Sequence, residues 1–232
     1  MFRGSKVLSI IPARKGSKGL ANKNMLSLGG KPLIHWTIMS SLKSRFIDNT
    51  LITSDSEQVL NYGKSFNLML RNRPNEFAGD DISMVDVLKN LFDKEPELLE
   101  KYKYLILLQP TSPLRTEKHI MNSFIQLGKN KKSDSIISAI REESSILKNL
   151  ILSKNGFLEE ISTDGYFSMN RQRLPQVFKP NGAIYLMRIE EFLNTGKLIS
   201  ENTIPFEMEK EDSCDIDSLE DYNHVKSLFN LS

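Results

Sequence analysis

Four cations and two glycines crowd into an eleven-residue segment near the start of the chain. They are Arg14, Lys15, Gly16, Lys18, Gly19 and Lys23. Glycine lets backbone N–H groups approach a phosphate, and arginine and lysine supply positive charge. The segment has the spacing of neither a Walker loop nor a dinucleotide-binding glycine loop. A solvated basic turn is the alternative, but the position directly after an apolar run that predicts a buried strand favours phosphate binding.

Two acidic residues near the other end of the chain have the spacing of a cation site. Asp215 and Asp217 flank Ile216, and in extended backbone residues two apart share a face and lie roughly 6–7 Å apart. Mg²⁺ takes one or two carboxylates and completes its shell with phosphate oxygens and water. Asp217 followed by Glu220 also fits a capping box for the last helix. Spacing alone favours the cap.

A third segment carries an amide at the end of an apolar run. Residues 107–115 read Leu-Leu-Gln-Pro-Thr-Ser-Pro-Leu-Arg, and their two prolines predict a stiff turn that begins at Gln109. A glutamine amide at the carboxyl end of a strand can hydrogen-bond a base or a sugar. The alternative is a rigid connector that ends in a helix cap at Thr116.

A fourth segment places Arg171 and Arg173 shortly before the run Pro-Asn-Gly-Ala-Ile-Tyr at residues 180–185. Guanidinium groups outside the sheet suit an anionic ligand, above all a carboxylate bound in bidentate fashion. A surface segment of a subunit interface is the alternative, and the two roles are compatible.

Short apolar runs alternate with segments of helical period, which predicts an α/β fold with a mostly parallel sheet flanked by helices. The predicted strands are residues 7–11, 50–53, 104–108, 135–140 and 183–186. Helices are predicted at 33–42 with Ile34, Ile38 and Leu42 on one face, around 59–60, after a cap at Ser83, at 120–127 and at 219–229. Parallel sheets bind ligands beyond the carboxyl ends of their strands, so the loops after Ala13, Thr53 and Leu108 are expected to form the site.

The alternation breaks down over residues 141–176. We expect this stretch to leave the sheet as an excursion with a hairpin that turns at Asn155-Gly156. With no internal repeat and no low-complexity tract, residues 1–232 are interpreted as a single domain that includes the excursion.

Composition narrows the function classes. The formal charge is +2, and no basic stripe typical of a duplex-binding protein is present, so no nucleic-acid partner is expected. Cys214 is the single cysteine, which excludes an intrachain disulfide and a multi-cysteine metal site. The apolar run at residues 7–13 is too short to span a bilayer, so we expect no membrane partner and a cytoplasmic location.

Taken together and in this order, the four segments resemble the CMP-sialic acid synthetase family (N-acylneuraminate cytidylyltransferases). The resemblance covers residues 7–222 and rests on Arg-x-x-Ser-Lys-Gly with Lys-Asn following, Leu-Leu-Gln-Pro-Thr-Ser-Pro-Leu-Arg, Pro-Asn-Gly-Ala-Ile-Tyr and Asp-Ile-Asp. These motifs are specific jointly rather than singly. The Kdo cytidylyltransferases are similar too, but their first loop lacks the elements present here as Lys18-Gly19 and Lys23-Asn24.

The resemblance implies a Rossmann-like nucleotidyltransferase fold and a set of nucleotide contacts. Arg14 and Lys18 are expected to hold the phosphates of CTP, with Lys23 nearby. Asn24 and Ser83 are expected to contact the cytidine, and Asp80 lies in the same loop as Ser83. Asp215 and Asp217 are expected to carry Mg²⁺, which reverses the conclusion from spacing alone, and with Arg14 and Lys18 they form the implied catalytic set.

The resemblance also implies the sugar contacts. Gln109 and Tyr185 are expected to face the sugar. Lys148 and Arg171 match positions that reach in from the partner subunit of a homodimer, and Arg171 suits the sugar carboxylate. The excursion at 141–176 is therefore expected to protrude, to form the dimer contact and to cap the sugar.

The implied reaction is the attack of a sugar's anomeric hydroxyl on the α-phosphorus of CTP, which gives a CMP-sugar and pyrophosphate. The sugar class is a nine-carbon α-keto acid. Leu198-Ile199 stand where some relatives have paired aromatics against the sugar, so legionaminic and pseudaminic acids are candidates beside sialic acid. The alternatives are a Kdo-type cytidylyltransferase and a nucleotide-binding protein that has lost turnover.

Overall fold

A seven-stranded sheet forms the centre of the computed structural model, which describes residues 1–16 and 19–229. The strands are β1 (Val7–Pro12), β2 (Ser27–Leu28), β3 (Lys31–Pro32), β4 (Asn49–Ser54), β5 (Met69–Asn72), β6 (Tyr104–Leu107), β7 (Ser135–Glu142), β8 (Leu150–Leu152), β9 (Leu158–Glu160), β10 (Val177–Arg188) and β11 (Thr203–Glu207). The helices are α1 (Leu33–Lys43), α2 (Glu57–Lys64), α3 (Met84–Lys94), α4 (Glu97–Lys101), α5 (Glu117–Lys129), α6 (Ile189–Thr195) and α7 (Leu219–Phe229). The order across the large sheet is β11-β7-β10-β6-β1-β4-β5, and β2–β3 and β8–β9 form two small hairpins.

The centre of the sheet is parallel and buried on both faces. All six residues of β1 are buried, and β1 pairs in parallel with β4 and with β6. Val7 and Ile11 pack into one apolar cluster, whereas Leu8 and Ile10 pack into the cluster on the other face. Of the seven strands in this sheet, β10 alone runs antiparallel to its neighbours, β6 and β7. The predicted fold class is confirmed.

The helices cover the two faces of this sheet, with one correction to the predicted pattern. Ile34 and Ile38 of α1 are buried, but Leu42 is 46% exposed. The prediction for Leu42 is wrong because two steps of four residues overshoot a period of 3.6, so the inward face continues through Ser41, which is fully buried. Ser83 caps α3 as expected and accepts a hydrogen bond from the backbone N–H of Asp86.

The start of α7 differs from the capping box read from spacing. Helix α7 begins at Leu219, and its cap is formed by Ser218 and Asp221. Ser218 Oγ accepts from the N–H of Asp221 at 3.1 Å, and Asp221 Oδ2 accepts from the N–H of Ser218 at 2.8 Å. The capping prediction for Asp217 with Glu220 is wrong by one residue, and the Asp217 carboxylate is not the cap of α7.

The second half of the chain leaves the sheet after β7 and returns at β10. Strand β10 begins at Val177, which pairs with Glu142, so the sheet resumes earlier than the predicted residue 183. Between these strands β8 and β9 form the predicted antiparallel hairpin around Asn155-Gly156. Within residues 1–16 and 19–229, no helix has both the length and the apolar character needed to cross a membrane.

Candidate active site

A cavity of about 340 Å³ opens at the carboxyl ends of the parallel strands. The loops after β1 and β6 line it together with the segment that precedes α7. Six of the residues singled out from the sequence line this cavity: Arg14, Lys23, Asn24, Gln109, Asp215 and Asp217. The structure therefore brings the basic loop, the amide and the acidic pair to one place, although they lie up to about two hundred residues apart in the chain.

The basic loop after β1 is held by its own polar side chains. Asn24 Nδ2 donates to the backbone oxygen of Arg14 at 2.9 Å, which folds the loop back on itself. Arg14 Nη1 lies 2.5 Å from Asp80 Oδ1, so the loop before α3 is tied to the same side of the cavity. Ser17 and Lys18 lie outside the described residues, and the expectation for Lys18 stays a prediction.

Gly19 marks the point where this loop meets the acidic segment. A Cβ atom at Gly19 would lie 2.1 Å from the backbone oxygen of Asp217, so only glycine fits without moving one of the two backbones. Close by, Lys23 Nζ donates to the backbone oxygen of Ile216 at 2.6 Å and to Asp217 Oδ1 at 2.9 Å. The lysine thereby neutralises part of the negative charge beside the cavity.

The two carboxylates of the pair occupy different environments. Asp215 Oδ1 is buried and has no hydrogen-bond partner within the described part of the chain, whereas the Asp217 side chain is 76% exposed. Burial raises the pKa of Asp215, and the nearby Asp217 charge adds to the rise while the Thr111 hydroxyl opposes it. The backbone N–H of Ile216 donates to the backbone oxygen of Thr111 at 2.8 Å, which holds the acidic pair against the turn after β6.

This donor set fits a hard cation such as Mg²⁺. An unpaired, buried carboxylate oxygen is costly unless a cation or a proton compensates it. Asp215 offers such an oxygen, and Asp217 supplies a second, solvent-facing carboxylate. No cluster of three or more His, Cys, Asp or Glu side chains occurs in residues 1–16 and 19–229, but Mg²⁺ needs only one or two protein carboxylates when phosphates and water complete its shell.

Five of the predicted residues that the structure describes do not line the cavity, and one of them, Asp80, is paired with Arg14, which does. Ser83 is engaged in capping α3 and donates from its hydroxyl to Asp86 Oδ2 at 2.6 Å. Tyr185 is half-buried in β10, where burial and the Asp215 charge raise its pKa. Lys148 and Arg171 lie in the excursion, and Arg171 Nη2 is 3.0 Å from Glu143 Oε2 with both side chains 73% exposed.

Arg73 lines the cavity and was missed in the sequence. It follows β5 directly, is buried, and donates from Nη2 to the backbone oxygen of Thr53 at 2.9 Å. Burial lowers the pKa of Arg73 to about 10, which the Asp55 charge opposes and the Arg14 charge reinforces. Its position one residue past a strand's carboxyl end was the available signal, and it went unseen because β5 itself was not identified.

Sequence comparison places the chain among known proteins. A family model described as cytidylyltransferase matches residues 8–212. The chain belongs to the cytidylyltransferase family. N-acylneuraminate cytidylyltransferase of Escherichia coli O18:K1:H7 is 32% identical, over 94% of this chain and 51% of that protein. CMP-N,N'-diacetyllegionaminic acid synthase of Legionella pneumophila is 29% identical, over 98% of this chain and 97% of that protein.

These relatives confirm the resemblance to the CMP-sialic acid synthetase family, although the chain spans only about half the length of the Escherichia coli relative. Among solved structures, CMP:2-keto-3-deoxy-manno-octonic acid synthetase complexed with CTP matches with a TM-score of 0.71 and 17% identity, covering 98% of this chain and 99% of that one. At this level of identity the likeness concerns the fold. It confirms the nucleotidyltransferase fold expected for a member of this family.

Proposed function

We propose that the chain transfers CMP from CTP to the anomeric hydroxyl of a nine-carbon α-keto acid sugar and releases pyrophosphate. The observation that carries this proposal is the cavity in which Arg14 and Lys23 face the acidic pair Asp215 and Asp217. Cations for a triphosphate and carboxylates for a metal then lie at one sheet edge. The N-acylneuraminate and legionaminic acid relatives support the sugar class.

The nucleotide side of the site is the basic loop. Arg14 and Lys18 bind the phosphates of CTP, with Lys23 beside them, and Asn24 contacts the nucleoside. Arg73 adds a buried cation to the same cavity. Asp80 orients Arg14 through their ion pair. These cations stabilise the charge that develops on the departing pyrophosphate, which is an electrostatic contribution to the transition state.

Mg²⁺ is the cofactor that this proposal includes. Asp215 and Asp217 hold it, and when bound it supplies positive charge that neutralises the phosphate oxygens and orients them for displacement. Lys23 bonds both to Asp217 and to the backbone of Ile216, so it keeps the acidic segment in place whether or not the ion is bound. Asp215 contributes the buried oxygen that has no protein partner in the described chain.

The sugar side combines residues of two subunits. Gln109 lies at the cavity and Tyr185 near Asp215, and both face the sugar. Lys148 and Arg171 come from the partner subunit of a homodimer, where the Arg171 guanidinium binds the sugar carboxylate in bidentate fashion. The need for CTP and the single cysteine of this chain favour a cytoplasmic location.

The homodimer is supported by the hairpin β8–β9. Every residue of both strands is exposed on the single chain, including Leu152 at 71% and Leu158 at 67%, with Phe157 beside them at 72%. A two-stranded hairpin with neither face covered is marginal in water, and an apolar patch of this kind marks an interaction surface. We propose that a second copy of the chain covers the hairpin.

Pyrophosphate release from CTP and Mg²⁺ tests the reaction. The acceptors are N-acetylneuraminic, legionaminic and pseudaminic acids, with Kdo as the comparison sugar. Release with a nonulosonate supports the proposal and identifies the substrate. Release with Kdo alone moves the chain to the Kdo-type enzymes, and no release with any of the four favours a nucleotide-binding protein without turnover.

Mg²⁺ binding has a test that does not depend on turnover. The melting temperature of the wild type in the presence of CTP should rise when Mg²⁺ is added, because a ligand that binds only the folded state stabilises it. Asp215→Asn should lose this rise while the rise caused by CTP alone remains. If Mg²⁺ stabilises Asp215→Asn as much as the wild type, Asp215 does not hold the ion.

A further inference from the structure

Arg115 is the largest of the fully buried side chains in the described structure, and only 1% of its surface is exposed. It ends the Pro-rich turn after β6, and its guanidinium group points into the protein. Nη1 donates to the backbone oxygens of Gln109 at 3.1 Å and Ala183 at 3.0 Å. Nη2 donates to Thr37 Oγ1 at 2.6 Å and Ser40 Oγ at 3.4 Å.

These contacts offset only part of the free-energy cost of burying the Arg115 guanidinium charge. All four acceptors are neutral oxygens, Nε is buried with no partner in the described chain, and burial lowers the pKa of Arg115 to about 9. A well-packed apolar side chain of similar volume is often as stable as a buried charge, or more so. Packing alone therefore does not account for an arginine at this position.

The two carbonyls bound by Nη1 belong to two segments that meet at the Gln109 side chain: the turn after β6, which carries Gln109, and the part of β10 against which its amide lies. One is the carbonyl of Gln109 itself, which also accepts from Thr37 Oγ1 at 3.4 Å. The other is the carbonyl of Ala183, next to Gly182 in the irregular part of β10 between Pro180 and Tyr185. A single nitrogen thus fixes the distance between the turn after β6 and β10.

The fit at this junction is tight. A Cβ atom at Gly182 would lie only 2.6 Å from Gln109 Oε1 and 3.4 Å from Asp215 Oδ2. The Gln109 amide is therefore wedged against the Gly182 backbone, and a small change in the separation of the two backbones moves the amide. Gln109 lines the cavity, whereas the Arg115 guanidinium lies behind it.

We propose that Arg115 is a positioning residue that sets the Gln109 amide for the sugar by clamping the carbonyls of Gln109 and Ala183. The guanidinium suits the clamp because Nη2 donates to Thr37 and Ser40 of α1 and, through the rigid plane of the group, fixes the place of Nη1. A lysine ammonium could reach the carbonyls but lacks this second, anchored nitrogen. The use of Gln109 toward the sugar rests on the proposed function. The clamp itself does not.

The first test separates the two substrates. Arg115→Lys should lower kcat/KM for the sugar by about tenfold to a hundredfold, the size expected when a substrate contact is displaced by about an ångström. The KM for CTP should stay unchanged, because no nucleotide contact passes through Arg115. Thr37→Val leaves Arg115 in place and removes one of the two side-chain donors to Gln109 and an acceptor of Nη2, so it should give a smaller loss in the same direction. An equal loss for both substrates would indicate a purely structural role and overturn the proposal.

A double-mutant cycle with Gln109→Ala identifies the path of the effect. If Arg115 acts through Gln109, then Arg115→Lys should cost little more in sugar kcat/KM once the amide is gone, because neighbouring sites are non-additive. Full additivity of the two losses would contradict the proposal. Melting temperatures of all four proteins show whether lost stability is responsible.

Crystal structures provide a readout that survives failure of the proposed function. In Arg115→Lys, or in Thr37→Val where the first variant does not fold, Gln109 Oε1 should leave its place against Gly182. An unmoved amide in a folded variant overturns the clamp. A wild type that turns over no sugar would instead refute the proposed function, while the displaced amide would still support the clamp.

Discussion

Lys23 Nζ lies 2.9 Å from Asp217 Oδ1 and 2.6 Å from the backbone oxygen of Ile216. This contact joins the basic loop near the start of the chain to the acidic segment near its end. It also shows what the Asp217 carboxylate does in the folded chain, because α7 is capped by Ser218 and Asp221 instead. Asp217 therefore pairs with Lys23 at the cavity, whereas its neighbour Ser218 caps α7. Substitutions at the two positions can distinguish a role in the reaction from a role in helix capping.

Asp217→Asn should reduce turnover by about a hundredfold or more, the size typical of losing one electrostatic contact to a reacting group. The free energy of unfolding should change by about 1 kcal/mol or less, because asparagine keeps an oxygen that can accept from the buried Lys23 ammonium, which also donates to the Ile216 backbone oxygen. Pyrophosphate release and urea denaturation measure the two quantities.

Ser218→Ala is the matched control one residue away. It removes the cap hydroxyl of α7 and should lower the free energy of unfolding by about 1 kcal/mol, while turnover stays near that of the wild type. Turnover close to normal in Asp217→Asn would show that the metal assignment is wrong.

Gly182→Ala tests the close approach between β10 and Gln109. Gly182 has φ +76°, a conformation that an alanine adopts only with strain of about 1–2 kcal/mol. The added Cβ would also displace Gln109 Oε1, at 2.6 Å. We expect a loss of stability of that size together with a fall of at least about tenfold in kcat/KM for the sugar.

Gly4→Ala is the matched control, because it introduces the same backbone strain without displacing a neighbouring side chain. Gly4 has φ +75°, and a Cβ there would meet nothing within 4 Å. Gly4→Ala should therefore lose a similar amount of stability while kcat/KM for the sugar stays unchanged. If Gly182→Ala behaves as Gly4→Ala does, the close approach has no part in the reaction.

The centre of the fold was predictable because it is apolar on both faces. Strand β6 is a continuous hydrophobic run and β1 is one interrupted only by Ser9, so both stand out in the sequence. The edge strands β5 and β11 do not stand out, since an edge strand buries less and tolerates residues such as Pro205. Missing β5 also hid Arg73, whose role depends on its place at the strand's end.

The order of the motifs in the sequence predicts which residues form the site, but it does not predict how those residues are held in place. The basic loop, Gln109 and the acidic pair were singled out as ligand-binding residues, and the sheet brings them together. Nothing in the spacing shows that Arg115 turns inward to hold two carbonyls, because arginine is ordinarily a surface residue. The cap of α7 was misplaced for a similar reason, since a shift of one residue in the helix start changes which carboxylate is engaged.

The stability of the protein should depend on the protonation of His119. His119 Nδ1 accepts a hydrogen bond from the backbone N–H of Thr116 at 3.2 Å at the start of α5. Burial lowers the pKa of His119 below 6.5, and Asp212 opposes this effect. As the pH falls below about 6.5, the unfolded chain therefore takes up the proton before the folded chain does, and stability declines until the folded pKa is passed.

His119→Asn keeps a neutral acceptor that does not titrate. Its melting temperature should fall less than that of the wild type between about pH 7.5 and about pH 5, because the proton uptake of the unfolded state at this site is gone. Differential scanning calorimetry at matched ionic strength measures the difference. Parallel curves for the two proteins would show that His119 does not contribute to the pH dependence.

The hairpin β8–β9 should decide the oligomeric state. The double variant Leu152→Asp with Phe157→Asp places two charges in the exposed apolar surface, and we expect it to be monomeric by light scattering and to lose most turnover. Leu42→Asp changes another exposed leucine, on α1, and should stay a dimer. A dimeric hairpin variant would place the interface elsewhere.

Mixed dimers test whether Arg171 acts from the partner subunit. Asp217→Asn and Arg171→Ala should each be nearly inactive alone. In a mixed dimer, the chain that keeps Asp217 receives the intact Arg171 of its partner, so one of the two sites is restored. Random reassortment in a symmetric dimer then yields about a quarter of wild-type activity. If Arg171 acts within its own chain, every site in the mixture carries one of the two substitutions and the mixture stays inactive.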